Sequence, residues 1–335
     1  MLYRMRYSPL SLLCHQSCSM NLSRRNLLAA TAATYATAVA SKFALAAEQN
    51  RKFTIDLRWG SIGVQADQKQ AIELAEKHGF ESVAAAPQYL AELSDSESSN
   101  LVEDLKNRGL VWGSSGLPVE FRKDEARFKS DLATLPKMAA ALQRAGVDRM
   151  GTWIMPCHDD LTYLQNFKQH TARLREIAKI LHDHGLRFGL EYVGTPSLRN
   201  TRRYAFIHSM KETAELHDAI NVPNMGFILD TWHWYTAGES ADEIRSLDAK
   251  QIVGCDLNDA PAGVSLEQQQ DNRRELPMAT GVIDTKAFVD ALVAVGYDGP
   301  VRAEPFNQKL NKLDNDDACA AVSKSLHQAA ALANG

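Results

Sequence analysis

Four acids stand at or near the ends of four successive apolar runs: Glu191 in LRFGLEY, Asp230 in MGFILD, Asp256 in QIVGCDL and Glu304 in PVRAEPF. A buried carboxylate is costly unless it is paired, hydrogen-bonded or bound to a metal. For any one acid, a capped turn or a solvated loop is the bland explanation; four in successive runs argue for a shared site. Like charges facing one cavity would raise one another's pKa unless a cation neutralised them, so the pattern predicts one divalent metal. An all-oxygen set favours Mn²⁺, Mg²⁺ or Co²⁺, with Zn²⁺ as a further candidate. His233 follows Asp230 by three residues in FILDTWHWY, among Trp232, Trp234 and Tyr235, and Asp259 lies close behind Asp256.

The elements that must position these acids are eight β-like runs alternating with helical ones: 53–57, 80–86, 110–115, 147–154, 186–192, 225–230, 251–257 and 300–306. Leu174, Ile177, Ala178 and Leu181 keep helical spacing in the clearest of the intervening helices, within 167–185. Gly79, Gly109, Gly146, Gly185 and Gly296 each follow a helical run, where a C-terminal cap with positive φ belongs. Eight strand–helix units predict an α/β protein with a single (β/α)8 barrel, a TIM barrel, over residues 47–335; working residues then sit at the C-terminal ends of the strands. No glycine-rich phosphate loop follows any of the runs, which counts against an open doubly wound sheet. The long polar stretch 260–284 carries Arg273 and Arg274, either a cation for substrate oxygens or a surface salt bridge.

GLRFGLEYVG (185–194), NVPNMGFILDTWHWY (221–235), VGCDLNDAP (253–261), RELP with ATGVID (274–284) and GYDGPVRAEPF (296–306), in this order and spacing, resemble the xylose-isomerase-like TIM barrel superfamily of sugar isomerases and epimerases. The ketose 3-epimerases of that superfamily hold one metal through Glu, Asp, His and Glu. The resemblance implies Glu191, Asp230, Asp256 and Glu304 as ligands. Position 256 departs from the family's His and leaves Asp259 as an alternative ligand or substrate contact. It further implies that His233 and Arg274 bind substrate oxygens, and His158, after the fourth run, is a further candidate at the mouth. Glu191 and Glu304 would then exchange a proton with a keto-sugar through an enediolate. The alternatives are a lyase or dehydratase of inosose or 3-keto-glycoside type, and a non-catalytic carbohydrate-binding barrel.

Residues 1–46 contain five of the chain's 37 Lys and Arg and none of its 41 acids. SRRNLL (23–28), a short apolar run and Ala44-Leu45-Ala46 resemble a twin-arginine export signal, with translation starting at Met1 or Met20. The apolar run is short of the roughly 20 residues a membrane span needs, so export to the periplasm is expected without stable anchoring. The remaining chain is net acidic, which argues against nucleic-acid binding and leaves a small-molecule sugar as the expected partner. An oligomer is compatible with the sequence. Cys157, Cys255 and Cys319 are too scattered for a disulfide framework. Replacing Arg24 and Arg25 by Lys should stop processing near Ala46; unchanged periplasmic accumulation of the shortened chain would refute the export reading.

Overall fold

The computed structural model describes residues 51–334; the expected export segment lies outside them. Eight parallel strands close into a barrel in which each pairs with the next in sequence and the last returns to the first. They are β1 (Thr54–Leu57), β2 (Ser82–Ala85), β3 (Val111–Gly116), β4 (Arg149–Trp153), β5 (Arg187–Glu191), β6 (Met225–Asp230), β7 (Ile252–Leu257) and β8 (Pro300–Ala303). All eight expected runs form strands, and helices connect them as the alternating pattern requires. Among the described residues no helix is long and apolar enough to cross a membrane.

Local chemistry sets the helix limits. Asp67 and Gln70 form a reciprocal capping box at 2.9 Å in both directions, opening the helix Gln68–Lys77. The five glycines expected to end helices all have φ between 72° and 80°, a region that a Cβ disfavours. The helix Tyr163–Asp183 buries Leu174, Ile177, Ala178 and Leu181 against the barrel, as their spacing predicts.

Two features of the barrel position the site. Register aligns Trp153 with Glu191, Asp230 with Asp256, and Asp256 with Arg302. Ile228 points into the barrel and packs closely on glycines: a Cβ at 151 or 189 would lie 2.7 or 2.8 Å from its Cδ1, and one at 254 would lie 3.0 Å away. The side chain thereby floors the space above.

His170 is buried between Phe121 and Phe206, with its Nε2 unpartnered. Burial pushes its pKa down to about 3. The unfolded chain takes up this proton near pH ~6.5 and the folded chain does not until far lower, so folding loses ~1.4 kcal/mol per pH unit as pH falls through that window. His170→Phe should therefore flatten the fall in urea midpoint between neutral and mildly acidic pH. Superimposable pH profiles for the two proteins would show that the histidine contributes nothing there.

Candidate active site

The C-terminal ends of the strands enclose a cavity of about 280 Å³, lined among others by Glu191, Glu304, His233, Arg58, Arg274 and Arg302. Glu191 ends β5 and Asp230 ends β6. Asp256 lies one residue inside the end of β7, and Glu304 follows β8 directly. All four acids are buried and converge. Two overlapping groups, Glu191–Asp230–His233 and Glu191–Asp256–Glu304, place ligand atoms within 4.8 Å of one another. By spacing, either group could hold a metal ion.

Arginines already occupy much of this ligand set. Arg302, reaching across from β8, donates from Nε and Nη2 to both oxygens of Asp256, at 2.6 and 2.9 Å. Its Nη1 donates to Ser114 Oγ. Arg274 donates to Asp230 Oδ2 at 2.8 Å, while Asn258 Nδ2 bonds both Asp230 oxygens at 3.0 Å and Trp232 N reaches Oδ1 at 2.6 Å. Arg58 reaches Glu304 Oε1 at 3.2 Å. Glu191 Oε1 is buried with no partner. A ligand set of the family's kind therefore does not fit unperturbed: two of its four carboxylates are fully engaged by guanidinium and amide donors.

These partners set the proton affinities. Burial, then the neighbouring carboxylates Glu304, Asp230 and Asp256, push Glu191 well above the usual range. Burial raises Glu304 as well, with Arg58 opposing it. Burial pushes Asp230 up to about 6 against the pull of Arg274, which leaves it ionised at neutral pH. Burial also opposes ionisation of Asp256, but the Arg302 guanidinium holds it below the usual range. His233 is pushed down to about 3, by burial first and then by Arg274, so its ring is neutral.

Three expected substrate contacts have structural roles: Arg274 lines the cavity and also braces it, while Asp259 and His158 lie outside the cavity lining. Arg274 is buried rather than a surface cation. Its guanidinium donates to Asp230, Asp271 and the Glu304 carbonyl and meets His233 Nε2 at 3.2 Å, which accounts for its five N–H groups. Asp259 lies outside both ligand groups; its carboxylate accepts from the amides of Ala260, Thr280, Gly281 and Ile283 at 2.7–3.1 Å and ties down the loop 260–284. His158 does not line the cavity: it pairs with Tyr204 in a short antiparallel ribbon, and its Nδ1 accepts from the amides of Asp160 and Leu161. Trp232 and Trp234 are core residues, the first donating to Thr195 Oγ1 at 2.7 Å and the second packing on Phe288.

The family profile of xylose isomerase-like TIM barrels matches residues 72–329. The chain belongs to this family. An inosose isomerase from Bacillus velezensis is 22% identical over 262 residues, 74% of this chain and 87% of its own. A xylose isomerase domain protein from Alicyclobacillus acidocaldarius superposes with a TM-score of 0.72 at 30% identity, over 82% of this chain and 97% of its own. The IolI protein, solved with a bound zinc atom, superposes at 0.68 and 21% identity, over 83% and 98%.

Two further cavity residues, Arg302 and Arg58, are not marked by type as site candidates. The signal for Arg302 was parity: side chains alternate along a strand, so a residue two before an inward-facing Glu304 also faces inward. Arg58, just beyond β1, carried no such signal.

Asp259→Ala would leave four loop amides without their acceptor, at ~1–3 kcal/mol for each group that stays buried and unpaired. Limited proteolysis of the folded variant should cut within 260–284 while wild type resists. Equal resistance would show that the loop is held by other contacts.

Proposed function

We propose that the chain is an isomerase or epimerase of a free keto-polyol, a keto-sugar or a cyclic polyol ketone, acting by proton transfer next to the carbonyl. The observation that carries this reading is the pair Glu191 and Glu304, two carboxyls in one cavity with oxygens within 4.8 Å. The inosose isomerase relative supports it. Two carboxyls so close cannot both ionise readily, so the pair holds an acid and a base together.

In this scheme Glu304, beside Arg58, takes the proton from the carbon next to the carbonyl. Glu191, kept protonated by burial and its neighbours, delivers one. Delivery to the adjacent carbon isomerises, and delivery to the opposite face of the same carbon epimerises. The negative charge left on the substrate oxygens falls to N–H donors lining the cavity. Trp153 and Phe306, both partly exposed at the rim, offer apolar faces to the ring. An ion admitted to this oxygen-rich mouth would be of the Mn²⁺, Mg²⁺ or Co²⁺ type; the proton steps belong to the chain's own carboxyls. The export reading, with its extracytoplasmic setting, favours a free sugar over a sugar phosphate.

General acid–base catalysis is typically worth about 10² to 10⁴ in rate. Wild type in D₂O should label recovered inosose or ketose at the carbon next to the carbonyl, and Glu191→Gln and Glu304→Gln should each lower that exchange by such a factor. Turnover without any label would replace the two-glutamate relay by a hydride shift.

A further inference from the structure

The register of β7 and β8 sets Arg302 beside Asp256 at the cavity. Position 256, where the family resemblance leads one to expect a neutral metal-binding His, is Asp, and its register partner is Arg302. A carboxylate at 256 can receive the Arg302 guanidinium in parallel, two-bond geometry, which an imidazole cannot.

We propose that Arg302 takes the place of a divalent ion at this mouth, closing on Asp256 and receiving two adjacent oxygens of a hydroxyketone ligand, so that the protein carries no resident metal. The proposal deepens the keto-polyol reading of the same cavity and rests on it for the ligand alone.

Four observations lead here. First, Arg302 is built in: 5% exposed, bound by Asp256 and Ser114, and neighboured by Asp56, whose carboxylate is buried with neither oxygen hydrogen-bonded. Gly113 leaves the room that Asp56 needs, since a Cβ at 113 would lie 2.1 Å from its Oδ1. Second, Arg302 lines the cavity even so. Third, of the five N–H groups of a guanidinium, Arg302 spends three on Asp256 and Ser114 and keeps one on each Nη. Arg274, with all five committed, cannot play this part. Fourth, Glu191 Oε1 is buried and unpartnered in the same cavity, ready to meet a ligand hydroxyl. A fixed positive fork is also what an enediolate needs, because charge growing on two neighbouring oxygens meets donors that do not have to reorganise.

The test is calorimetric titration of the mature protein with MnCl₂ and with ZnCl₂ after dialysis against EDTA, with no sugar present. Wild type should show no saturable binding, and Asp256→His combined with Arg302→Met should bind one ion per chain. Saturable binding of one Mn²⁺ or Zn²⁺ by wild type overturns the proposal whether or not the double variant folds. Asp256→His alone, which keeps the guanidinium, should remain metal-free; if it binds as tightly as the double variant, Arg302 does not exclude the ion. In EDTA, inosose should still bind wild type, and Arg302→Met should weaken that binding by at least about tenfold, the loss of charge-assisted hydrogen bonds, with Arg302→Lys intermediate. Inosose binding to wild type that requires added metal overturns the proposal. Failure of every keto-polyol to bind under any condition would instead sink the functional reading, and the sugar-free titration would still decide this one.

Discussion

Carboxylates buried together at the C-terminal end of a closed barrel must have positive charge or hydrogen-bond donors brought to them, and the upper half of this structure answers that demand. Asp256 meets Arg302, Asp230 meets Arg274 and Asn258, and Glu304 meets Arg58. Each arginine arrives by a different route: along a neighbouring strand, from a long loop, and from just beyond β1. For the two fully buried pairs, Asp256–Arg302 and Asp230–Arg274, removing one partner typically costs ~3–5 kcal/mol, because the other charge stays behind in a poor solvent. Glu191 is the exception. With no donor for Oε1, its proton affinity is pushed well up by burial, which suits the acid role proposed for it.

The same demand explains why residues of strong catalytic appearance do structural work. Arg274 reaches Asp230 only because the loop 260–284 folds inward, and the loop does so because Asp259 collects four of its amides while pairing in both directions with Glu275. Phe306 stacks on the Arg274 guanidinium at 4.7 Å with a left-handed backbone, φ 42°. That conformation is costly for an aromatic residue and turns the chain sharply after Glu304. Asn258 couples the two ends of the arrangement, donating to Asp230 and accepting from the amide of Glu304 at 3.1 Å. The Asp230 carboxylate and the backbone that carries Glu304 are thus fixed to one frame.

Function on this scaffold follows from what the frame leaves uncommitted. Among the described cavity residues, groups with spare capacity include the Glu191 carboxyl and the two remaining N–H groups of Arg302, both directed by strands, and the Arg58 guanidinium and His233 Nδ1, which lie beyond strand ends. A site held on strands is stiff, which suits proton transfer over short distances. Variation in ligand size then falls to the rim, where Trp153 and Phe306 are partly exposed.

The sequence by itself determined the barrel, because alternating strand and helix runs with glycine caps are local signals, each written within about twenty residues. It also determined that Glu191, Asp230, Asp256 and Glu304 meet: strand order in a barrel follows chain order, so ends of successive strands share one mouth. What only the tertiary structure decided is the partner of each charge. Arg302 and Asp256 are 46 residues apart, and nothing local says that the guanidinium turns toward the carboxylate. Asp259 and His158 looked like site residues by type but lie where backbone amides reach them first. Residue type limits which interactions are possible; in a folded interior, competition among neighbouring donors and acceptors selects the one that forms, and that competition exists only after distant segments have been packed together.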